Sequence, residues 1–164
     1  MKKISYLIIS LILLINIVAC NGYKPVFSSS NLKFKIADYS IKGDKKLGNQ
    51  LYSKLYSLSQ SNENTENSKN IYILIHVSKN KNATAKDLTG KILSYKINLT
   101  TEVKIKDVDT GNQILSESFF SSSTYKVQDQ YSETKKIEDR SVENLIDKTY
   151  QDLLVKLSQS ILLK

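Results

Sequence analysis

The chain has few of the residues that build covalent or metal-bound frameworks. Among 164 residues there is one cysteine, one histidine and one methionine, and there is no tryptophan. A single thiol, Cys20, excludes an internal disulfide. With only His76, the sequence also lacks the histidine and cysteine pairs of structural metal sites, and we expect neither a metal nor a cofactor. Side-chain packing must therefore hold the fold together.

Glycine is equally scarce, with five residues in the whole chain, and no glycine-rich phosphate loop is present. The sequence also contains no Gly-x-Ser-x-Gly, His-Glu-x-x-His or Cys-x-x-Cys motif. Glu133, Glu138 and Asp139 cluster where a helix is predicted to start, a position in which acidic residues favour the helix dipole. His76 lies in the middle of a predicted strand and is predicted to have a packing role, not a metal-binding one. These features predict that the protein is not an enzyme.

The first 22 residues combine a short basic start with one apolar run. Lys2 and Lys3 precede Ile4–Val18, which three polar residues interrupt. This run is too short to cross a hydrocarbon core of about 30 Å, which needs roughly 20 helical residues. A basic start, a short apolar middle and a small residue at the end are typical of a secretory signal peptide, which we predict over residues 1–19.

The end of this run, Ile17-Val18-Ala19-Cys20, resembles the lipobox of bacterial lipoproteins, in which lipid is attached to the cysteine thiol and cleavage occurs just before it. The resemblance implies that the mature protein begins at Cys20 and is tethered there to a membrane by acyl chains such as palmitate. Asn21 favours the outer membrane, since aspartate in its place resembles an inner-membrane retention signal. An ordinary signal peptide or an uncleaved anchor with an incidental cysteine is the alternative.

The formal net charge is +8, and removal of residues 1–19 with their two lysines leaves +6. Nucleic acid is an improbable partner in the expected compartment. The positive charge is concentrated between Lys79 and Lys96, where five lysines face one acid, Asp87, for a net charge of +4. Lysine binds phosphate as a mobile point charge. This segment is either a binding site for an anionic ligand or a loop that aids solubility.

Apolar spacing predicts a single domain over 32–164, preceded by a tether at 20–31. The predicted element order is β-α-β-β-β-α. The predicted elements are a strand from Leu32 to about Ile41, a helix carrying Leu47 to Leu58, a polar loop over Ser59–Asn70, a strand over Ile71–Val77, a second polar loop over Lys79–Gly90, a long strand from Leu93, a hairpin at Asp109-Thr110-Gly111, a return strand from about Gln113 to Val127, and a long helix that begins near Ser132 and carries an apolar stripe of about seven turns from Ile137.

Two amphipathic helices can bury their apolar stripes only by lying together on one face of the sheet. The predicted fold is therefore an α+β two-layer sandwich with a four-stranded mixed or antiparallel sheet, one face of which is open to solvent. Tyr95 fits the buried pattern, whereas Tyr72, Tyr125 and Tyr131 are predicted to be partly exposed. Tyrosine suits interfaces, although half-buried strand tyrosines are also common.

Several segments together resemble one family, the lipopolysaccharide-assembly lipoproteins (LptE) of the alphaproteobacterial type. The helix alanines and arginines of that family are mostly absent here, with Arg140 the sole arginine. The segments that carry the resemblance are Gly22-Tyr23-Lys24-Pro25 after the lipobox, the basic Lys91 leading into the strand up to Leu99, the hairpin Asp107 to Gly111, the Ser123-Thr124-Tyr125 pattern, and Gln130-Tyr131-Ser132 through Glu138-Asp139 before the last helix.

The resemblance implies a lipid-anchored protein on the periplasmic side of the outer membrane, with two helices on a four-stranded sheet. It implies a role as plug and assembly partner of the LptD β-barrel, helping lipopolysaccharide reach the cell surface. Lys91 matches the basic position of the family. The alternative is a small accessory lipoprotein of an envelope transporter or secretin, which binds protein only. The lipopolysaccharide-binding candidates are Lys79, Lys81, Lys86, Lys91 and Lys96.

Overall fold

The structure, a computed structural model, describes residues 32–61 and 68–162. The predicted signal peptide (1–19), the lipidation site Cys20 and the tether (20–31) lie outside the described residues, so these predictions stay predictions. None of the helices in the described part combines the length and the apolar character that a membrane span requires.

The predicted element order, β-α-β-β-β-α, is confirmed. The four strands form one sheet in the order β1-β2-β3-β4, in which β1 and β2 are parallel and the other two pairs are antiparallel. The sheet is therefore mixed. The elements are β1 (Phe34–Gly43), α1 (Lys45–Ser61), β2 (Lys69–Lys86), β3 (Ile92–Asp107), β4 (Gln113–Lys126) and α2 (Tyr131–Leu162).

The core lies between the helices and one face of the sheet. Alternate residues of β2 and β3 are buried, as the period of two predicts, and the apolar stripes of both helices join them in one cluster. The two-layer α+β sandwich is thus confirmed. Fully buried members include Leu51 and Leu55 of α1, Ile73, Ile75 and Val77 of β2, Val103 and Ile105 of β3, and Leu153 of α2.

A tight junction between β1 and α1 sets where the first helix begins. Gly43 has a φ of 74°, which an L side chain rarely adopts. The next residue, Asp44, donates its backbone N–H to Val77 O at 2.8 Å and accepts the Leu47 N–H on Oδ1 at 3.1 Å. Asp44 is therefore the N-cap of α1, because its carboxylate satisfies one of the open N–H groups of the first turn.

The predicted polar loop over Lys79–Gly90 is wrong. β2 continues to Lys86 and pairs with β3 almost to the turn, so that Lys81 lies opposite Ile97 and Lys86 opposite Ile92. The residues from Ser78 to Lys86 are exposed. Antiparallel pairing supplies the backbone hydrogen bonds of this segment, Ser78–Lys86, which we call the hairpin arm, and no apolar alternation is needed because none of its side chains belongs to the core. This extension of β2 therefore cannot be predicted from the periodicity of buried side chains.

Two other boundaries also differ from prediction. The polar loop predicted over Ser59–Asn70 is shorter, because α1 runs through Ser61 and β2 begins at Lys69. Ser59 is buried, and its hydroxyl donates to the Tyr56 carbonyl at 2.8 Å, so a polar side chain is accommodated within the helix. The last helix contains 32 residues, about nine turns, and begins at Tyr131, beside the predicted start at Ser132.

Candidate functional site

The five candidate lysines do not form one cluster. Lys79 and Lys81 project from β2 on the side of the helices, whereas Lys96 of β3 lies on the opposite, outer face of the sheet. Lys86 and Lys91 flank the turn between β2 and β3. Lys91 lines one groove together with Lys81, and it lies across the hairpin turn from Lys86.

Lys81 is engaged in a polar network with the second helix. Its Nζ lies 2.6 Å from Glu138 Oε2, and the Tyr125 hydroxyl donates to the same oxygen at 2.8 Å. The ammonium also sits 4.2 Å from the centre of the Tyr95 ring, within cation–π range. Tyr125 is buried, so its predicted partial exposure is wrong. The network joins the hairpin arm to the first turns of α2, and it removes Lys81 from the set of unpaired cations.

The pKa values of this network follow from its geometry. Burial of the Glu138 side chain, which is 14% exposed, opposes ionisation. The bonds from Lys81 and Tyr125 outweigh that effect and lower the pKa of Glu138 from 4.5 to about 2. Burial likewise opposes the charge of Lys81, yet its bond to Glu138 raises the lysine pKa above its ordinary value. The pair is therefore ionised throughout the neutral and mildly acidic range.

We expect Glu138→Gln to flatten the acid dependence of stability. Because the pKa of Glu138 is lower in the folded state, its contribution is complete above about pH 4.5 and is lost as the pH falls towards 2. Between pH 6 and pH 3, urea unfolding of the wild type should lose about 1 to 2 kcal/mol more than the variant, after allowance for solvent screening at Lys81.

The matched control is Glu133→Gln, which removes a carboxylate from the first turn of the same helix without touching Lys81. Its pH profile should run parallel to that of the wild type. Parallel profiles for Glu138→Gln and the wild type would contradict the assigned pairing.

The hairpin end, residues 86–93, combines cations with exposed apolar side chains. Asp87 organises the turn, since its Oδ1 accepts the backbone N–H groups of Thr89 and Lys91, each at 2.9 Å. Leu88 at the tip is fully exposed, and Leu93 is 44% exposed although its position in β3 predicted burial. Leu93 is exposed because this part of the arm extends past the core. The hairpin end is therefore amphipathic.

A groove lies beside the hairpin end, at the start of α2. Its volume is about 340 Å³, and Lys91, Tyr95, Tyr131 and Glu138 are among its lining residues. The exposed ring of Tyr131 confirms the exposure predicted for that residue. Cationic and aromatic walls suit an anionic molecule with an apolar part. Spacing along the sequence could not reveal this groove, because α2 and the hairpin are 40 residues apart.

A second and larger groove, of about 580 Å³, separates the first turn of α1 from α2. Lys46, Lys79, Lys136 and Arg140 line it together with Asp44 and Asp139. In residues 32–61 and 68–162 no group of three or more histidine, cysteine or acidic side chains could hold a metal ion.

The outer face of the sheet is open to solvent, as predicted. His76, expected to fill a structural place, is instead about half exposed on this face, 3.8 Å from Glu102. Phe120 of β4 is 74% exposed on the same face. The exposed lysines on this face of β3 and β4 are Lys96, Lys104, Lys106 and Lys126.

No protein-family model and no curated protein matches the sequence. Solved structures share its fold. A lipoprotein of Caulobacter crescentus aligns with a TM-score of 0.52 at 13% identity, over 75% of this chain and 88% of that one.

Two further solved structures align equally well. A minor lipoprotein of Acinetobacter baumannii gives a TM-score of 0.52 at 16% identity, over 77% of this chain and 93% of that one. Lipoprotein B of Nitrosomonas europaea gives 0.52 at 15% identity, over 81% and 88%. The described domain therefore has the fold of these three bacterial lipoproteins.

Proposed function

We propose that the chain is a lipid-anchored outer-membrane assembly factor of the LptE type. In this role it would plug and help assemble a LptD-like β-barrel and assist lipopolysaccharide transport to the cell surface. The observation that carries the proposal is the shared fold: three proteins whose names describe them as lipoproteins align with at least 75% of this chain. The lipobox at Cys20 and the LptE-like segments point to the same class.

The surface of the domain suits a binding protein. In residues 32–61 and 68–162 both helices pack on one face of the sheet, so that the outer face and the two edge strands are left for a partner. Lipid attachment at Cys20 would hold this surface close to the membrane in which a barrel is assembled. A tethered partner binds at a high effective concentration, which makes a modest interface sufficient.

Within this proposal, lipopolysaccharide contacts the hairpin end. Lipopolysaccharide is an anionic amphiphile, and the hairpin end offers Lys86 and Lys91 beside Leu88 and Leu93. Lys81 is paired with Glu138, and Lys96 lies on the other face of the sheet. Coulomb attraction to a single lysine is only about 1 kcal/mol in water, so the two cations and the apolar side chains must act together.

We expect the double substitution Lys86→Glu and Lys91→Glu to weaken the binding of purified lipopolysaccharide at least tenfold at low salt. The reversal of two charges replaces attraction with repulsion, and the difference should shrink as salt is added. Lys104→Glu with Lys106→Glu, on β3 far from the hairpin end, is the charge-matched control. Equal binding by both folded variants would assign the hairpin lysines to solubility alone.

Co-purification tests the proposed partner. Tagged full-length protein, extracted in mild detergent from the outer membrane of its own cells, should bring down a large β-barrel protein in equal stoichiometry. Intact mass should show acyl chains on a protein that begins at Cys20. Recovery of an inner-membrane transporter or a secretin instead would favour the alternative, an accessory lipoprotein that binds protein only. An unmodified Cys20 would contradict lipid anchoring under either function.

A further inference from the structure

The two edge strands of the sheet differ in how they are protected. β1 carries Lys35, Asp38 and Lys42, and its register shifts between Ile36 and Asp38. Charges and bulges of this kind discourage pairing with another strand. By contrast, β4 has one charged residue, Glu117, between positions 114 and 125, no proline, and uninterrupted pairing with β3 from Leu115 onwards. Of the two edge strands that the structure describes, β4 therefore has the less protected outer edge.

No other strand of the described residues pairs with that outer edge. In an antiparallel pair, alternate residues direct their backbone N–H and C=O groups away from the neighbouring strand. From Leu115 to Lys126, β4 thus presents a regular row of donors and acceptors. Such an edge is a template for an added strand, and soluble proteins rarely leave one this long without a covering element or charged side chains.

A shallow apolar groove runs beside the same edge. Its volume is about 290 Å³, and Phe119, Phe120 and Val155 form its apolar walls, with Asp152 and Lys156 of α2 at its border. Strand addition uses backbone bonds for affinity and pockets for alternate side chains for specificity. Phe120 and the groove provide such an anchor directly at the edge.

The charge beside this edge indicates the chemistry of the added strand. On the outer face, β3 and β4 carry four lysines and one glutamate, Glu102, which gives a local net charge of +3. A strand that continues the sheet past β4 would place its outer side chains next to this positive face. Acidic residues at alternate positions would be attracted there, and basic ones would be repelled.

We propose that the β4 edge binds an extended segment of a protein partner by strand addition, with an apolar side chain beside Phe120 and acidic side chains on the outer face. A second copy of this chain is a poor occupant, since two positive faces would be brought side by side in a protein whose net charge is +6 from Cys20 onwards. The inference deepens the proposed function by naming the edge through which a partner, such as the barrel, is held.

Photo-crosslinking in cells identifies the occupant. Benzoylphenylalanine at position 120 of the full-length protein should crosslink to an acidic extended segment of another protein. The same probe at Tyr56, an aromatic position on α1 with 43% exposure, is the control and should not crosslink to that segment. A crosslink from position 120 to a second copy, or no crosslink at all, would overturn the inference.

Hydrogen exchange distinguishes strand addition from simple proximity. In the purified complex, alternate backbone amides of β4 should exchange at least tenfold more slowly than in the free protein, while β1 amides stay unchanged. A crosslink at position 120 without slower exchange in β4 would show that the neighbour does not pair with the strand. That result would contradict the inference.

Matched variants complete the test. Ser118→Glu with Ser122→Glu adds two negative charges beside Phe120 on the exposed outer face of β4, where they repel the acidic side chains of the added strand, and should lower recovery of the crosslinked partner at least tenfold. Ser53→Glu with Ser57→Glu adds the same charges to exposed positions of α1, and should leave recovery unchanged. Equal recovery from both folded variants would overturn the inference.

These experiments distinguish a wrong partner from a wrong binding edge. If a barrel co-purifies but does not crosslink at position 120, strand addition at β4 is wrong and the proposed function stands. If the crosslinked strand belongs to a protein that is not a barrel, strand addition is supported and the barrel partnership is wrong.

Discussion

Gly43→Ala is expected to destabilise the protein by about 4 kcal/mol, from backbone strain, a steric clash and a lost hydrogen bond together. A Cβ at this position would lie 2.1 Å from Val77 O and 2.9 Å from His76 Cδ2, and the backbone at φ 74° is itself strained for alanine. The left-handed conformation alone costs roughly 1–2 kcal/mol. The clash with a backbone oxygen must also displace the strand, and the bond from Asp44 N to that oxygen would be lost.

Gly111→Ala separates the cost of backbone strain from the cost of the clash at position 43. Gly111 has a similar φ of 70°, but no atom lies within 4 Å of the position its Cβ would occupy. Its substitution should therefore cost only about 1–2 kcal/mol, from backbone strain alone. The free energies of unfolding in urea, measured for both variants, test the comparison. Equal losses would show that the contact with Val77 O does not limit position 43.

Leu153→Ala is expected to cost about 2 to 5 kcal/mol. Leu153 is fully buried in the core between α2 and the sheet, so truncation removes its apolar contacts and leaves a cavity. The effect should appear as a lower urea midpoint with an unchanged dependence on urea concentration, because the surface exposed on unfolding stays nearly the same.

Leu88→Ala is the matched control, since it makes the same substitution at the fully exposed tip of the hairpin end. We expect its free energy of unfolding to change by less than about 0.5 kcal/mol. A loss below 1 kcal/mol for Leu153→Ala would mean that the core around α2 rearranges to fill the space.

The elements that bury a face were predictable from the sequence. In β3, Ile97, Leu99, Val103 and Ile105 alternate with exposed residues as predicted, because half-burial imposes a period of two. The stripe of α1 follows the period of 3.6 for the same reason. The arm of β2 past Ser78 was not predictable in this way. It is exposed on both faces, and its strand conformation depends on pairing with β3.

The candidate site was only partly predictable. A high local density of lysine was visible from Lys79 to Lys96, but strand pairing decides on which face each side chain lies. Lys81 and Lys96 are separated by the sheet, and Lys81 meets Glu138, 57 residues away in sequence. An ion pair across such a distance cannot be recognised from local spacing. The exposure of Leu88 and Leu93 was likewise decided by how far the arm extends past the core.

The sequence by itself determined the class of the fold, the order of its elements and which faces are buried, because burial of apolar side chains follows local periodicity. It also indicated a lipid anchor through the residues around Cys20. Only the tertiary structure decided which charges are paired, where the grooves lie and that β4 has an open edge. These features depend on strand register and on helix position, which bring together residues far apart in the chain.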